Sequence, residues 1–254
     1  MITVDLHMHT TYCDGKNSPE EMILSAIDKG LKTVGISGHS FTGIDDVFGM
    51  SKENMQKYYD EIQLLKIKYK DKINVLCGIE QDSFAGFPAL NFDYVIGSVH
   101  YVYKDGAYLS VDYSEEMFTN DVNKYYNGDY FAYAEDYYKQ VANVIRDTNA
   151  DIIGHIDLLT KFNEGGKLFD ESNPRYVHAF QKAVDALIPY KKPFEINSGA
   201  ISRGYRTTPY PSIPILKYIK EQGGKVILSS DSHSAENIAF KFDESLAIYN
   251  NIFK

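Results

Sequence analysis

Seven short apolar runs alternating with helical patterns predict an α/β fold, a parallel sheet closed into a barrel. Six of the seven histidines close such runs: Val4 to His9, Val34 to His39, Tyr94 to His100, Asp151 to His155 and Val226 to His233. Parallel strands deliver these imidazoles to one rim, and the C-terminal rim of a (βα) barrel is where chemistry is built. A chain of 254 residues fits one such barrel, so a single domain spanning 1–254 is expected.

Taken in order, strands are expected at residues 3–7, 33–37, 74–80, 94–98, 151–154, 194–197 and 226–230. Ser18-Pro19-Glu20-Glu21 opens the first helix: Ser18 caps it, Pro19 takes the first position, acids fill the first turn, and Gly30 stops it. Residues 51–70 repeat apolar and aromatic side chains at helical spacing. Further helices are expected at 130–147, 173–188, 212–222 and 243–251. The segment at about 101–127 interrupts the alternation. Its Lys104-Asp105-Gly106 turn between Tyr-rich extended runs predicts an inserted hairpin beside the rim, a partial lid.

A net charge of −9 argues against a nucleic-acid partner, because binding many phosphates needs a basic surface; a small anion held locally is still compatible. No basic segment followed by a long apolar stretch opens the chain, and no run approaches a membrane span. Two cysteines, Cys13 and Cys77, form no CxxC pair and suit reduced thiols, so a cytoplasmic protein is expected; Cys13 lies near the first histidines as a possible soft ligand. Oligomeric state is left open.

His7 and His9 project from one face of a strand and can share a metal, and Asp231 and His233 repeat the spacing at the last strand. Glu80 ends an apolar run where an unpaired buried charge is costly, so a bridging carboxylate is expected there, with Asp82 as the competing candidate. His39, His100 and His155 repeat the strand-end placement. His178 sits inside a helical pattern and reads as structural.

Asp5-Leu6-His7-Met8-His9-Thr10, Gly35-Ile36-Ser37-Gly38-His39, Gly78-Ile79-Glu80, Gly97-Ser98-Val99-His100, Gly154-His155 and Ser230-Asp231-Ser232-His233 together resemble the polymerase and histidinol phosphatase (PHP) family, in motif order over nearly the whole chain. Within it, Ser98-Val99-His100-Tyr101 with its Tyr/Asp-rich insertion, and Gly154-His155-Ile156-Asp157-Leu158 followed by Lys161-Phe162-Asn163, are most like the monofunctional histidinol-phosphatases. The resemblance implies a distorted seven-stranded (βα)7 TIM-like barrel holding three divalent metal ions, Zn, Mn or Fe. His7, His9, Glu80 and Asp231 would hold the first, Glu80, His100 and His155 the second, and Asp14, His39 and His233 the third.

It also implies phosphate-binding arginines after the fifth and sixth strands. Arg203 fits the second; at the first stands Thr160, with Lys161 beside it as a point charge lacking a bidentate fork. Arg206 reads as a surface residue. The implied reaction is hydrolysis of a phosphate monoester, L-histidinol phosphate, by a metal-activated hydroxide, with Arg203 and Lys161 on the phosphate and Asp231 or His233 assisting the leaving group. Asp112, Glu115 and tyrosines of the insert would meet the substrate's cationic end. Rival readings are a phosphoesterase for nucleotide or sugar phosphates, a metal-dependent nuclease, and a metal-binding protein without catalysis.

Overall fold

The computed structural model describes residues 3–44 and 48–254. In chain order its elements are β1 (Val4–Asp5), α1 (Pro19–Asp28), β2 (Thr33–Ile36), α2 (Lys52–Tyr69), β3 (Asn74–Asp82), β4 (Tyr94–Ser98), β5 (Tyr101–Lys104), β6 (Ala107–Ser110), α3 (Glu115–Tyr126), α4 (Tyr130–Val141), α5 (Val144–Thr148), β7 (Ile152–Ile153), α6 (Pro174–Leu187), β8 (Phe194–Asn197), α7 (Gly199–Ser202), α8 (Ile213–Glu221), β9 (Val226–Ser229) and α9 (Phe242–Phe253). Seven strands form one parallel sheet in the order β1-β2-β3-β4-β7-β8-β9, while β5 and β6 form a separate antiparallel hairpin.

The sheet curls until its first and last strands meet only at the rim. There Met8 bridges Ser232, with His9 N–H donating to Ser232 O (2.8 Å) and Ser232 N–H to His7 O (3.2 Å). Below that point the side chain of Asp5 spans the seam. Fully buried, it accepts from Ser230 N (3.1 Å), Ser230 Oγ (2.6 Å) and Ala239 N (3.0 Å). This is the distorted barrel expected, and it fits a β1 that is two residues long rather than five: among the described residues its outer edge has no strand to pair with below the rim.

Tyr94 fills the lumen. Its ring lies over Gly35 of β2 and Gly78 of β3, where a Cβ would collide with it, and its hydroxyl donates to Leu6 O (2.5 Å). Ile96 and Ile152 pack beside it, and the larger apolar core lies between sheet and helices.

The helix starts follow their capping chemistry. Ser18 and Glu21 form a reciprocal capping box, and Ser51 and Asn173 cap α2 and α6. Two expectations are corrected. The helix expected at 130–147 is two, because Asn143 Nδ2 donates to Lys139 O (2.8 Å) and competes with the helical ladder at the break. The insert at 101–127 is a hairpin only to Ser110. Ser114, whose Oγ accepts from Met117 N (3.1 Å), then starts α3, with Glu115 and Glu116 in its first turn. The hairpin is fastened to the body of the fold. Lys104 pairs with Asp136 of α4 at 3.0 Å, and Val102 and Leu109 are buried. Among the described residues no helix is long and apolar enough to cross a membrane.

Candidate metal centre and phosphate pocket

Five of the six strand-end histidines meet around Glu80, which β3 carries to the rim almost wholly buried, and His233 joins them through Asp14 and Asp231. Its Oε2 lies 2.8 Å from His39 Nδ1, 3.4 Å from His7 Nε2 and 3.5 Å from His9 Nε2. Its Oε1 faces His155 Nε2 (3.0 Å) and His100 Nε2 (3.4 Å) and accepts from Ser98 Oγ (2.6 Å). Gly154 leaves room for that serine, since a Cβ there would strike Ser98 Oγ.

Asp231 follows β9 with φ of 47°, a left-handed turn uncommon for a residue with a side chain, and this turn carries its carboxylate inward. Oδ1 lies 3.1 Å from His9 Nε2 and 3.7 Å from His7 Nε2; Oδ2 accepts from Arg203 (3.2 Å) and Asn197 (3.3 Å). Asp14, in the loop after His9, places Oδ2 3.1 Å from His233 Nε2 and Oδ1 3.7 Å from both His9 Nδ1 and His39 Nε2.

Among the described residues, four overlapping sets therefore have ligand atoms close enough to hold a cation: His9, Asp14, His39 and His233; His7, Glu80 and His155; His7, His9 and Asp231; His39, Glu80 and His100. The donor atoms themselves support that use. His7 Nε2, His9 Nε2, Asp14 Oδ1 and Glu80 Oε2 are all buried without a hydrogen-bond partner, which is costly unless a cation joins them. Neutral imidazoles mixed with carboxylates suit divalent transition metals. Cys13 stays outside these sets, its Sγ 3.6 Å from His9 Nδ1 and its thiol pushed up to about 12 by burial and by Asp14.

The charges hold one another. Burial opposes ionisation of Glu80, but His39, His7 and His100 together keep its carboxyl well below the usual range. Asp231 is held low against its burial by Arg203 and His7. Burial, together with His233 and His39, lowers His9 to about 3, so its ring is neutral with a lone pair to give.

A second layer orients the ligands. His7 Nδ1 donates to Glu195 Oε1 (2.8 Å), which fixes the tautomer that turns Nε2 toward Glu80. Asn197 links this carboxylate to Asp231, with Nδ2 3.2 Å from Glu195 Oε2. Asp82, the competing candidate for Glu80, lies instead behind His100, 3.1 Å from its Nδ1. Glu195 was missed in the sequence, although it carries the same signal as Glu80: a charge inside an apolar strand.

The pocket above this centre is lined by Asp14, His39, Glu80, His100, His155, Asp231 and His233, and also by Phe48, Asp112, Lys161 and Arg203. Arg203 Nη1 lies 3.1–3.2 Å from the ring nitrogens of His233. Lys161 Nζ donates to Asp112 O (2.7 Å) and Oδ2 (3.1 Å). Arg206 is not a surface residue, as the sequence suggested. It is buried behind the pocket, donating to the hydroxyl and carbonyl of Thr160, with its guanidinium 5.2 Å from the Tyr210 ring centre. Glu115 pairs with Lys167 at 2.5 Å outside the pocket, so it is removed from the substrate-contacting set. His178 is exposed on α6, away from the centre.

The model of the PHP domain matches residues 5–199. The chain belongs to the PHP domain family. Over 268 residues this PHP protein is 25% identical to the histidinol-phosphatase of Bacillus subtilis strain 168, covering 95% of its own length and 97% of the relative's. A Listeria monocytogenes structure assigned as a histidinol phosphatase superposes with a TM-score of 0.80 at 20% identity, over 95% of this chain and 99% of that one. The histidinol phosphate phosphatase of Lactococcus lactis, solved with Zn, L-histidinol and phosphate, gives 0.68 at 22% identity, over 98% and 93%. These two structures share its barrel.

Proposed function

We propose that this PHP protein is a metal-dependent phosphomonoesterase whose substrate is L-histidinol phosphate, working with three divalent ions. One observation carries the reading: buried, unpartnered imidazole and carboxylate atoms converge directly beneath a pocket that also holds Arg203 and Lys161. Full-length relatives named histidinol-phosphatase support the substrate, as does the neighbour solved with L-histidinol and phosphate.

On the division that the family resemblance implies, His7, His9, Glu80 and Asp231 would hold the first ion, Glu80, His100 and His155 the second, and Asp14, His39 and His233 the third, although the four sets above overlap differently, with His155 beside His7 and His100 beside His39; Zn, Mn and Fe all suit these donors. When bound, such ions supply an acidified water and positive charge for the phosphoryl oxygens. The chain supplies the rest. Arg203 and Lys161 orient the phosphate from the pocket wall. Arg203 is held for this by Asp231 Oδ2 at 3.2 Å. His233 donates Nδ1–H to Asp231 O (3.0 Å), which fixes the ring beside Asp231; with both side chains engaged as ligands, the leaving oxygen would take its proton from water in the pocket.

The test is phosphate release by purified, metal-analysed protein from L-histidinol phosphate, beside a nucleotide monophosphate, a sugar phosphate and a phosphodiester. A kcat/KM preference of about 100-fold for L-histidinol phosphate is expected, lost on chelation. Better turnover of another monoester removes the substrate and keeps the phosphatase; better turnover of the diester removes both.

A further inference from the structure

The pairing of Lys161 with Asp112 raises a question of charge. The ammonium is almost completely buried, and both residues line the pocket. A lysine spent on a neighbouring carboxylate has little left for a phosphate. Yet the pair is not sealed in the core: the Asp112 side chain retains about 15% of its exposure, and Arg203 and His100 act on its charge from across the pocket.

We infer that substrate binding exchanges ion pairs: the phosphate takes Lys161 from Asp112, and the freed Asp112 carboxylate takes the substrate's ammonium group. The inference rests on the phosphomonoesterase reading above and adds the determinant of specificity. The backbone carbonyl of Asp112, at 2.7 Å, holds Nζ in place while the carboxylate at 3.1 Å lets go. The Tyr205 ring, 4.7 Å from Nζ, remains on the ammonium throughout.

A guanidinium has five donors and can serve a carboxylate and a phosphate together, whereas a lysine is a point charge that must choose. Arg206, which reaches the neighbouring Thr160, is committed there and cannot take over. A monoester without a cation therefore strands Asp112, poorly hydrated and next to a phosphate. A zwitterionic ester satisfies both halves of the broken pair.

The exchange is measured by calorimetry on the metal-loaded protein with L-histidinol and inorganic phosphate as separate probes. Saturating phosphate is expected to strengthen L-histidinol binding about 10-fold, and the reciprocal gain must be equal. In Asp112→Asn that coupling falls below about 3-fold, which separates it from direct attraction between the two probes. Lys161→Met already frees Asp112, so it is expected to bind L-histidinol more tightly than wild type without phosphate; Lys161→Gln, which keeps a donor for the Asp112 carbonyl, is the second variant if the first does not fold. Unchanged or weaker L-histidinol binding in the folded lysine variant, or undiminished coupling in Asp112→Asn, overturns the exchange whatever the turnover. Failure to hydrolyse L-histidinol phosphate alongside the gain in the lysine variant removes the substrate and leaves the exchange standing.

Discussion

Glu80 has five imidazoles within 3.5 Å and one hydroxyl, so its charge is what the rim is arranged around. Replacing it with Gln keeps the volume and removes the charge. The expected result is loss of bound metal and a fall in kcat of about a thousandfold or more with the circular dichroism unchanged; a variant that retains full metal content and activity rules out its bridging role. Glu195 is expected to act more gently. Glu195→Gln releases His7 from its fixed tautomer, and metal affinity should fall about 10–100-fold, read as occupancy at limiting metal. Residues of this kind were legible unequally. The ligands stood out because charge and imidazole recur at strand ends. Arg206 was misread because nothing local in Ser202-Arg203-Gly204-Tyr205-Arg206 announces burial; Thr160, which accepts from it, lies on another segment, and Tyr210, further along the same loop, covers it only once that loop is folded.

Elements followed their caps and periods wherever local chemistry decides them, as at Ser18, Ser51 and Asn173. They departed where distant packing decides. The helix α3 was hidden in a tyrosine-rich run that resembles strand by composition, and it forms because Phe118, Val122 and Tyr126 can bury one face. The turn after β7 carries another consequence of packing. Asp157 is fully buried, and Ser212 N–H donates to its Oδ2 (2.8 Å) while Oδ1 has no partner. Burial raises its carboxyl to about 6, more than Arg206 and the Ser212 bond can offset. The folded state therefore holds this proton more tightly than the unfolded chain. Its contribution to stability is fully present below about pH 4 and lost as pH rises through 6, a difference of at most about 3 kcal/mol. Asp157→Asn should flatten that part of the stability profile, measured as the wild-type minus variant difference in denaturant unfolding between pH 4 and 8; parallel profiles would show that Asp157 does not titrate there.

For the molecule as a whole, the barrel was legible because strand and helix signals alternate, but the quality of its closure was not. Whether β1 reaches β9 depends on a few backbone bonds and on Asp5, whose sequence context shows only an acid at a strand start. Asp5→Ala removes the acceptor for Ser230 and Ala239 at a buried position and is expected to cost about 2–4 kcal/mol, read from urea unfolding. A change under about 0.5 kcal/mol would place the seam's strength elsewhere.

The seam also gives the proposed ions a role besides chemistry. His7 and His9 lie just beyond the first strand and Asp231 and His233 just beyond the last, so cations shared between them would fasten the two ends of the barrel to each other. Such a fastening closes a loop made of nearly the entire chain, the case in which a cross-link restricts the unfolded ensemble most. Loaded protein should therefore melt well above chelated protein, and the N-terminal strand should gain the most protection from hydrogen exchange. The centre that carries out hydrolysis would then also be the clasp that keeps an incompletely paired barrel shut.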